Sequence, residues 1–315
     1  MADDTRRPVH VLTGFLGSGK TTLLRHILRD PAYAGTAVLI NEFGEVGLDH
    51  LLLGRIEGEP VLLDSGCVCC TIRGDLVAAL RRLTGPGAPA FGRVVIETTG
   101  LADPTPVLAT LLGDLAIRRA FRPGRLLACV DAVHGLAGLG RHPVLRKQAA
   151  AADVIVVTKS DLADDRPLRR ALGALNPLAA IHVARFGAAD PAMLFGGAGG
   201  GQDWLALAAL PPPPHGATAF SIELAERLDY AAFALWFSLL VHAHGSRLLR
   251  VKAILDVAGS DSPVALHAVQ HVIHAPEHLD AWTGPPRSVL VFITDGLRRE
   301  PVAASLAAFL RAARN

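Results

Sequence analysis

Gly14-Phe15-Leu16-Gly17-Ser18-Gly19-Lys20-Thr21 is the stretch that decides the fold. It matches the spacing G-x-x-x-x-G-K-[ST]. It stands between an apolar, β-branched run, Val9–Thr13, and a helical stretch, Thr21–Leu28, which is the strand–turn–helix context that the motif requires. The glycines let successive backbone N–H groups turn toward one anion, and the dipole of the following helix adds to the attraction. In such a loop Gly14, Gly17, Ser18, Gly19 and Thr22 supply the cradle. Lys20 neutralises the β- and γ-phosphates, and the hydroxyl of Thr21 holds Mg²⁺.

Outward from this loop, one pattern repeats. Thr36–Ile40, Val61–Leu63, Arg93–Ile96, Arg125–Val130 and Asp153–Val157 read as strands. Several are apolar without alternation, as buried parallel strands are. Leu76–Leu83, Thr105–Ala120 and Pro167–Ala174 read as helices between them. The alternation predicts an α/β sheet with helices on both faces. It breaks near Phe186. Residues 187–215 are rich in Gly and Ala and hold the four-proline run Pro211–Pro214, the composition of a linker. Beyond it, Ala217–Leu224, Arg247–Leu255, Val264–Ile273 and Ser288–Thr294 read as strands, with helices at Tyr230–Val241 and Val302–Ala313. The expected organisation is a nucleotide-binding domain over 1–186, a linker over 187–215 and a small α+β domain over 216–315.

Two further motifs end predicted strands. Val154–Val157 runs into Thr158-Lys159-Ser160-Asp161. Guanine presents two adjacent donors, the ring N–H and the exocyclic amine. One carboxylate can accept both, and adenine offers no such pair. Asp161 is the candidate guanine reader, with the stem of Lys159 packed over the base and Thr158 at the head of the motif. Arg93–Ile96 ends in Glu97-Thr98-Thr99-Gly100. Glu97 can act through Mg²⁺ or a water, and the Gly100 N–H can sense the γ-phosphate. The same stretch, followed by Asp103-Pro104, also reads as an ordinary helix start.

The chain has four cysteines, and three of them fall in Gly66-Cys67-Val68-Cys69-Cys70. That spacing is poor for a disulfide scaffold and suits a soft or borderline cation, Zn²⁺, Co²⁺ or Cu⁺. Three thiolates leave one tetrahedral position open, which suits a metal that is taken up and handed on. The fourth, Cys129, lies alone in a strand and reads as core.

Together these stretches resemble the CobW-type P-loop GTPases, a family of metallochaperones. The resemblance rests on GFLGSGKTTLL, on NEFGEVGLD at Asn41–Asp49, on GCVCC, on ETTGLADP at Glu97–Pro104 and on KQAAAADVIVVTKSDL at Lys147–Leu162. It continues through RLLRVKAIL at Arg247–Leu255 and VQHVIHAP at Val269–Pro276. It implies a P-loop NTPase three-layer sandwich with a mostly parallel sheet, followed by a smaller CobW C-terminal domain. It also implies GTP hydrolysis with Mg²⁺, a transition metal (Zn²⁺ or Co²⁺) at Cys67, Cys69 and Cys70, and Glu42 near that metal or Mg²⁺. The sequence departs from the family in Ser65, where Asn is frequent, in Thr158, where GTPases usually carry Asn, and in lacking a long His-rich loop.

The expected activity is slow GTP hydrolysis coupled to delivery of the metal to a client metalloprotein or cofactor pathway, since no arginine stands out as a finger. Two rivals are a regulatory or assembly GTPase with a structural zinc site, and an ATP-dependent P-loop kinase. The TKSD motif argues against the kinase. The net charge of +2 and scattered arginines give no basic stripe for a nucleic-acid partner. The N-terminus lacks a signal-peptide pattern, and the longest apolar run, Tyr230–Val241, is too short to span a membrane. A cytoplasmic monomer or homodimer is expected. Six of the thirteen histidines lie beyond residue 216. Read as one strand, Val264–Ile273 places His267 and His271 on a shared face and His274 off it. These histidines read as exposed or satisfied, or as an auxiliary metal or partner site.

Overall fold

The computed structural model describes residues 5–33, 35–40, 61–62, 71–85, 88, 90–196, 217–282 and 284–313. Chain contacts divide it into two units: Met1–Arg170 with Ala179–Gly200, and Ala171–Leu178 with Gly201–Asn315. Glu42, the three clustered cysteines Cys67, Cys69 and Cys70, and most of the Gly/Pro-rich stretch lie outside the described residues.

The first unit begins with strand β1 (Arg7–Gly14), helix α1 (Lys20–Leu28), β2 (Thr36–Ile40), β3 (Val61–Leu62), α2 (Thr71–Arg82) and β4 (Arg93–Glu97). It continues with α3 (Thr105–Gly113), α4 (Leu115–Ala120), β5 (Phe121–Asp131), α5 (Gly135–Arg141) and α6 (Pro143–Ala151). β6 (Val154–Thr158), α7 (Arg166–Leu175, whose residues from Ala171 are counted with the second unit), β7 (Ala180–Val183) and α8 (Pro191–Phe195) complete the α/β pattern. The seven strands pair in the order β3-β2-β4-β1-β5-β6-β7, every pair parallel. Sequence left the direction of Val61–Leu63 open; β3 runs parallel to β2, with Leu39 opposite Val61. A parallel sheet covered on both faces needs strands apolar on both sides, and β6 is buried at every residue.

Two local outcomes differ from the sequence expectation. Thr105–Ala120 is two helices, not one. Asp114 adopts an extended conformation, and its carboxylate accepts from the N–H groups of Ala116 and Ile117 at 2.9 and 3.1 Å. A carboxylate at that position satisfies donors that a helix start would otherwise leave open. Residues 187–196, read as linker from composition, carry α8, whose Leu194 is fully buried against the sheet. Arg125 caps this helix by donating to the carbonyls of Met193 and Leu194.

The second unit has β8 (Ala217–Leu224), α9 (Tyr230–His244), β9 (Leu248–Leu255), β10 (Val264–Val269), β11 (Val272–Ile273), β12 (Glu277–His278), β13 (Ser288–Asp295) and α10 (Arg299–Ala312). The sheet is antiparallel, in the order β11-β10-β9-β13-β8 with β12 beside β10. Alternate strand residues, including Val251, Ala253, Leu266, Leu290 and Phe292, pack against Phe233, Trp236, Phe237 and Leu306 of the two helices. Val264–Ile273 is therefore a hairpin and not one strand. Gln270 takes φ of 49° at its turn, and the His274 N–H bonds back to the His267 carbonyl at 2.9 Å. The rings of His267 and His274 meet edge to face, 6.3 Å apart, contrary to the sequence expectation. Pairing across a hairpin, rather than spacing along one strand, sets which side chains meet.

Candidate functional site

Because the sheet is parallel, β1, β4, β5 and β6 all end on one edge. Leu12 lies opposite Glu97, Gly14 opposite Cys129, and Asp131 opposite Thr158. This is the edge where α/β sheets place ligands. The chain leaves β3 at Leu62 on the same edge, ahead of the cysteine segment.

The loop between β1 and α1 is shaped by its glycines. Gly14, Gly17 and Gly19 take positive φ of 146°, 69° and 85°, which only glycine adopts freely. Gly14 is also closed sterically, because a Cβ there would run into the Cys129 carbonyl oxygen and lie 2.7 Å from Ser18 Oγ. Lys20 is buried and donates from Nζ to the carbonyls of Gly14 at 2.8 Å and Phe15 at 3.3 Å. Its ammonium is thus held under the loop's own arch. Ser18 turns its N–H to the Phe15 carbonyl at 3.1 Å.

Two neighbours from elsewhere in the sheet grip this loop. The Thr21 hydroxyl donates to Glu97 Oε1 at 2.7 Å, and Glu97 is 5% exposed. A hydroxyl and a carboxylate oxygen this close form a hard-oxygen donor pair suited to Mg²⁺. Thr98 bonds Thr13 of β1 through their hydroxyls at 2.9 Å, fixing the end of β4 to β1. Gly100 then presses on the loop, since a Cβ there would lie 2.6 Å from Leu16 N. From β6, Thr158 Oγ1 donates to the Ser18 carbonyl at 2.7 Å, and both groups are buried.

The Thr158–Asp161 stretch begins at the last residue of β6. Lys159 has φ of 57°, an uncommon backbone state for a side-chain-bearing residue and one that clusters at ligand sites. Its Nζ lies 3.3 Å from Asp131 Oδ2 at the end of β5, and Asp131 Oδ1 accepts from the His134 N–H at 2.6 Å. Asp161 Oδ1 accepts from the Phe186 N–H at 2.9 Å. Phe186 itself has φ of 53° and is 85% exposed. Asp131 and Phe186 were not singled out in the sequence. Neither carried a local signal beyond its place, Asp131 at the end of β5 and Phe186 shortly after β7.

Cys129 is fully buried, as its strand position implies, and burial pushes its thiol up to about 12. A neutral thiol of that kind is a packing group and not a metal ligand. Among the described residues no three His, Cys, Asp or Glu side chains group as a metal site. No described helix is long and apolar enough to cross a membrane.

With this geometry in view, comparison with known proteins places the chain. Residues 8–182 match the CobW/HypB/UreG nucleotide-binding domain, and residues 217–310 match the cobalamin synthesis protein cobW C-terminal domain. The zinc chaperone YjiA of Escherichia coli is 31% identical over 309 residues, covering 95% of this chain and 97% of that protein. The zinc-regulated GTPase metalloprotein activator 1 of Schizosaccharomyces pombe is 34% identical over 199 residues, 58% of this chain and 47% of that protein. The crystal structure of Zn(II)-bound YjiA GTPase from E. coli superposes with a TM-score of 0.73 at 27% identity, covering 96% of this chain and 99% of that one. A P-loop fold, strand-end motifs gathered on one sheet edge and a match at both domains lead to one conclusion: the chain belongs to the CobW family of P-loop GTPases.

Proposed function

We propose that this protein hydrolyses GTP and couples nucleotide binding to the uptake and delivery of a transition metal, zinc ahead of cobalt, to a client metalloprotein or cofactor pathway. The observation that carries the GTPase half is the joining of three strand-end motifs at one loop. Glu97 meets Thr21, Gly100 meets Leu16, and Thr158 meets Ser18. In this reading the N–H groups of Gly17, Gly19, Lys20, Thr21 and Thr22 face the phosphates, and Asp161 accepts from guanine. Lys159, tethered at Asp131, lays its stem along the base. Thr21 and Glu97 are the residues that would hold Mg²⁺, which supplies charge neutralisation between the β- and γ-phosphates. Glu97 also orients the attacking water, directly or through the ion.

The metal half is supported by two relatives, one named a zinc chaperone and one a zinc-regulated GTPase metalloprotein activator, and by the chemistry of Cys67, Cys69 and Cys70, whose thiolates suit Zn²⁺ or Co²⁺. Here the metal is cargo, and Glu42 is an additional ligand in this proposal. A nucleotide-binding domain that runs through α8 to residue 196 and a second domain over 216–315 belong to the same proposal, as does action in the cytoplasm as a monomer or homodimer. If two sites are coupled, each ligand must strengthen the other by the same factor. The test is Zn²⁺ affinity measured with and without Mg²⁺ and a non-hydrolysable GTP analogue. Tighter zinc binding with the analogue, lost in Cys69→Ser, is the expected result. Equal affinities would sink the coupling. A broad loss of thermal stability in Cys69→Ser would favour a structural zinc site instead.

A further inference from the structure

Gln148 sits on α6 at 0% exposure, in the same stretch of sequence that leads into β6. Its side chain reaches the turn that follows β4. Nε2 donates to the Ala102 carbonyl at 2.9 Å and to the Gly100 carbonyl at 3.4 Å. The turn is closed on itself by the Ala102 N–H, which bonds the Thr99 carbonyl at 3.2 Å. Gln148 Oε1 has no hydrogen-bond partner among the described residues.

A fully buried amide is a costly way to fill space unless its polar atoms are used, and the Gln148 Nε2 is spent on two carbonyls of a single turn, Gly100 and Ala102. The cost implies a role that packing does not supply. On the opposite side Gly100 has no room to move inward. A Cβ there would lie 2.6 Å from Leu16 N and 2.7 Å from Leu16 Cα. Gly100 is therefore held between two fixed objects, the backbone of the phosphate loop and the amide of Gln148.

We propose that Gln148 is a positioning residue for the third phosphate. It pins Gly100 against the phosphate loop, so that the Gly100 N–H stands ready before a triphosphate arrives. This rests on the GTPase reading above. A diphosphate ends short of Gly100 and gains nothing from the arrangement. A triphosphate gains, because a donor that is already ordered need not be ordered on binding. Gln148 thus sets how strongly the site distinguishes GTP from GDP, and it does so without touching either nucleotide.

The experiment compares wild type with Gln148→Met, which keeps length and loses the amide. Affinities for GDP and for a non-hydrolysable GTP analogue are measured in Mg²⁺, with the hydrolysis rate and melting temperature alongside. The variant should bind the analogue about tenfold more weakly, as loss of one to two hydrogen bonds implies, with GDP affinity unchanged and hydrolysis slowed by a similar factor. Equal weakening of both nucleotides with a lower melting temperature marks a packing role and overturns the proposal, as does an unchanged or tighter analogue affinity. Wild type that binds neither nucleotide would sink the GTPase reading instead. Should Gln148→Met fail to fold, the wild-type side-chain amides serve. The chain has three glutamines, Gln148, Gln202 and Gln270, and selective ¹⁵N labelling follows them separately. The Gln148 amide protons must be protected from exchange with water before nucleotide is added and with GDP as well as with the analogue; an amide that becomes protected only with the analogue overturns the proposal.

Discussion

The hydroxyl of Thr158 donates a 2.7 Å hydrogen bond to the backbone carbonyl of Ser18, 140 residues earlier in the chain. It ties the end of β6 to the phosphate loop. The Thr158 hydroxyl is a sufficient donor for this carbonyl. The Thr158 side chain also lies beside Gly19, where an added Cβ would make ordinary van der Waals contact with it at 3.6 Å. Thr158→Val keeps the shape and strips the Ser18 carbonyl of its donor. The expected cost is about 1–3 kcal/mol, the penalty for a buried acceptor left unpaired. Urea denaturation of the nucleotide-free protein measures it, and Thr158→Ser should recover most of the loss.

Glu97 and Thr21 lie 2.7 Å apart. In Glu97→Gln the side chain keeps its volume and loses its charge. Nucleotide binding should persist while hydrolysis falls about 100-fold, the scale seen when one preorganised electrostatic contact is removed from a reacting centre. Phosphate release under single-turnover conditions, titrated with Mg²⁺, reads the effect. A variant with wild-type turnover at saturating Mg²⁺ would remove Glu97 from the reaction.

Asp161→Asn replaces a double acceptor by a group that offers a donor to a donor. Guanine nucleotides should weaken about 100-fold, as expected for losing two hydrogen bonds to a charged acceptor, and the preference over ATP should collapse. Competition between the two nucleotides against a fluorescent analogue measures this. The phosphate loop would still hold triphosphate, so residual binding of both is part of the expected outcome.

His10 gives a pH prediction. It is 3% exposed, its Nδ1 accepts from the Arg125 N–H at 3.0 Å, and its ring meets Phe195 at 4.7 Å. Burial, reinforced by the guanidinium groups of Arg93, Arg122 and Arg125, holds it down at about 3 against an ordinary 6.5. Its folded pKa is depressed, so the unfolded chain binds a proton more readily and acid favours unfolding. The contribution is complete above pH 6.5 and is lost as pH falls from 6.5 toward 3. At pH 5 the loss should be about 2 kcal/mol relative to neutral pH. Denaturation of wild type and His10→Leu at both pH values isolates it: the variant should start less stable and show a shallower dependence.

The contrast between motif and partner runs through the whole site. Gly14–Thr21 was legible because a phosphate loop needs glycines, a lysine and a hydroxyl at fixed spacing within one turn, and that spacing is written locally. Thr158–Asp161 and Glu97–Gly100 were legible for the same reason, each being a short run at the end of an apolar strand. Asp131, Phe186 and Gln148 were not. Each is bonded to a residue far from it in sequence: Asp131 to Lys159, Phe186 to Asp161, Gln148 to Gly100.

Sequence alone therefore determined the class of the fold and the family membership, and it placed three short motifs at strand ends, since periodicity and turn chemistry act over a few residues. Only the tertiary structure decided which motif touches which. Parallel register puts Thr158 beside Asp131 and Gly14 beside Cys129, and no local pattern specifies that pairing. The C-terminal histidines make the point from the other direction. Spacing along a strand grouped His267 with His271. The turn at Gln270 folded the strand back and brought His274 to His267 instead, because a side chain's neighbours in a sheet are chosen across strands by the backbone hydrogen bonds that set their register.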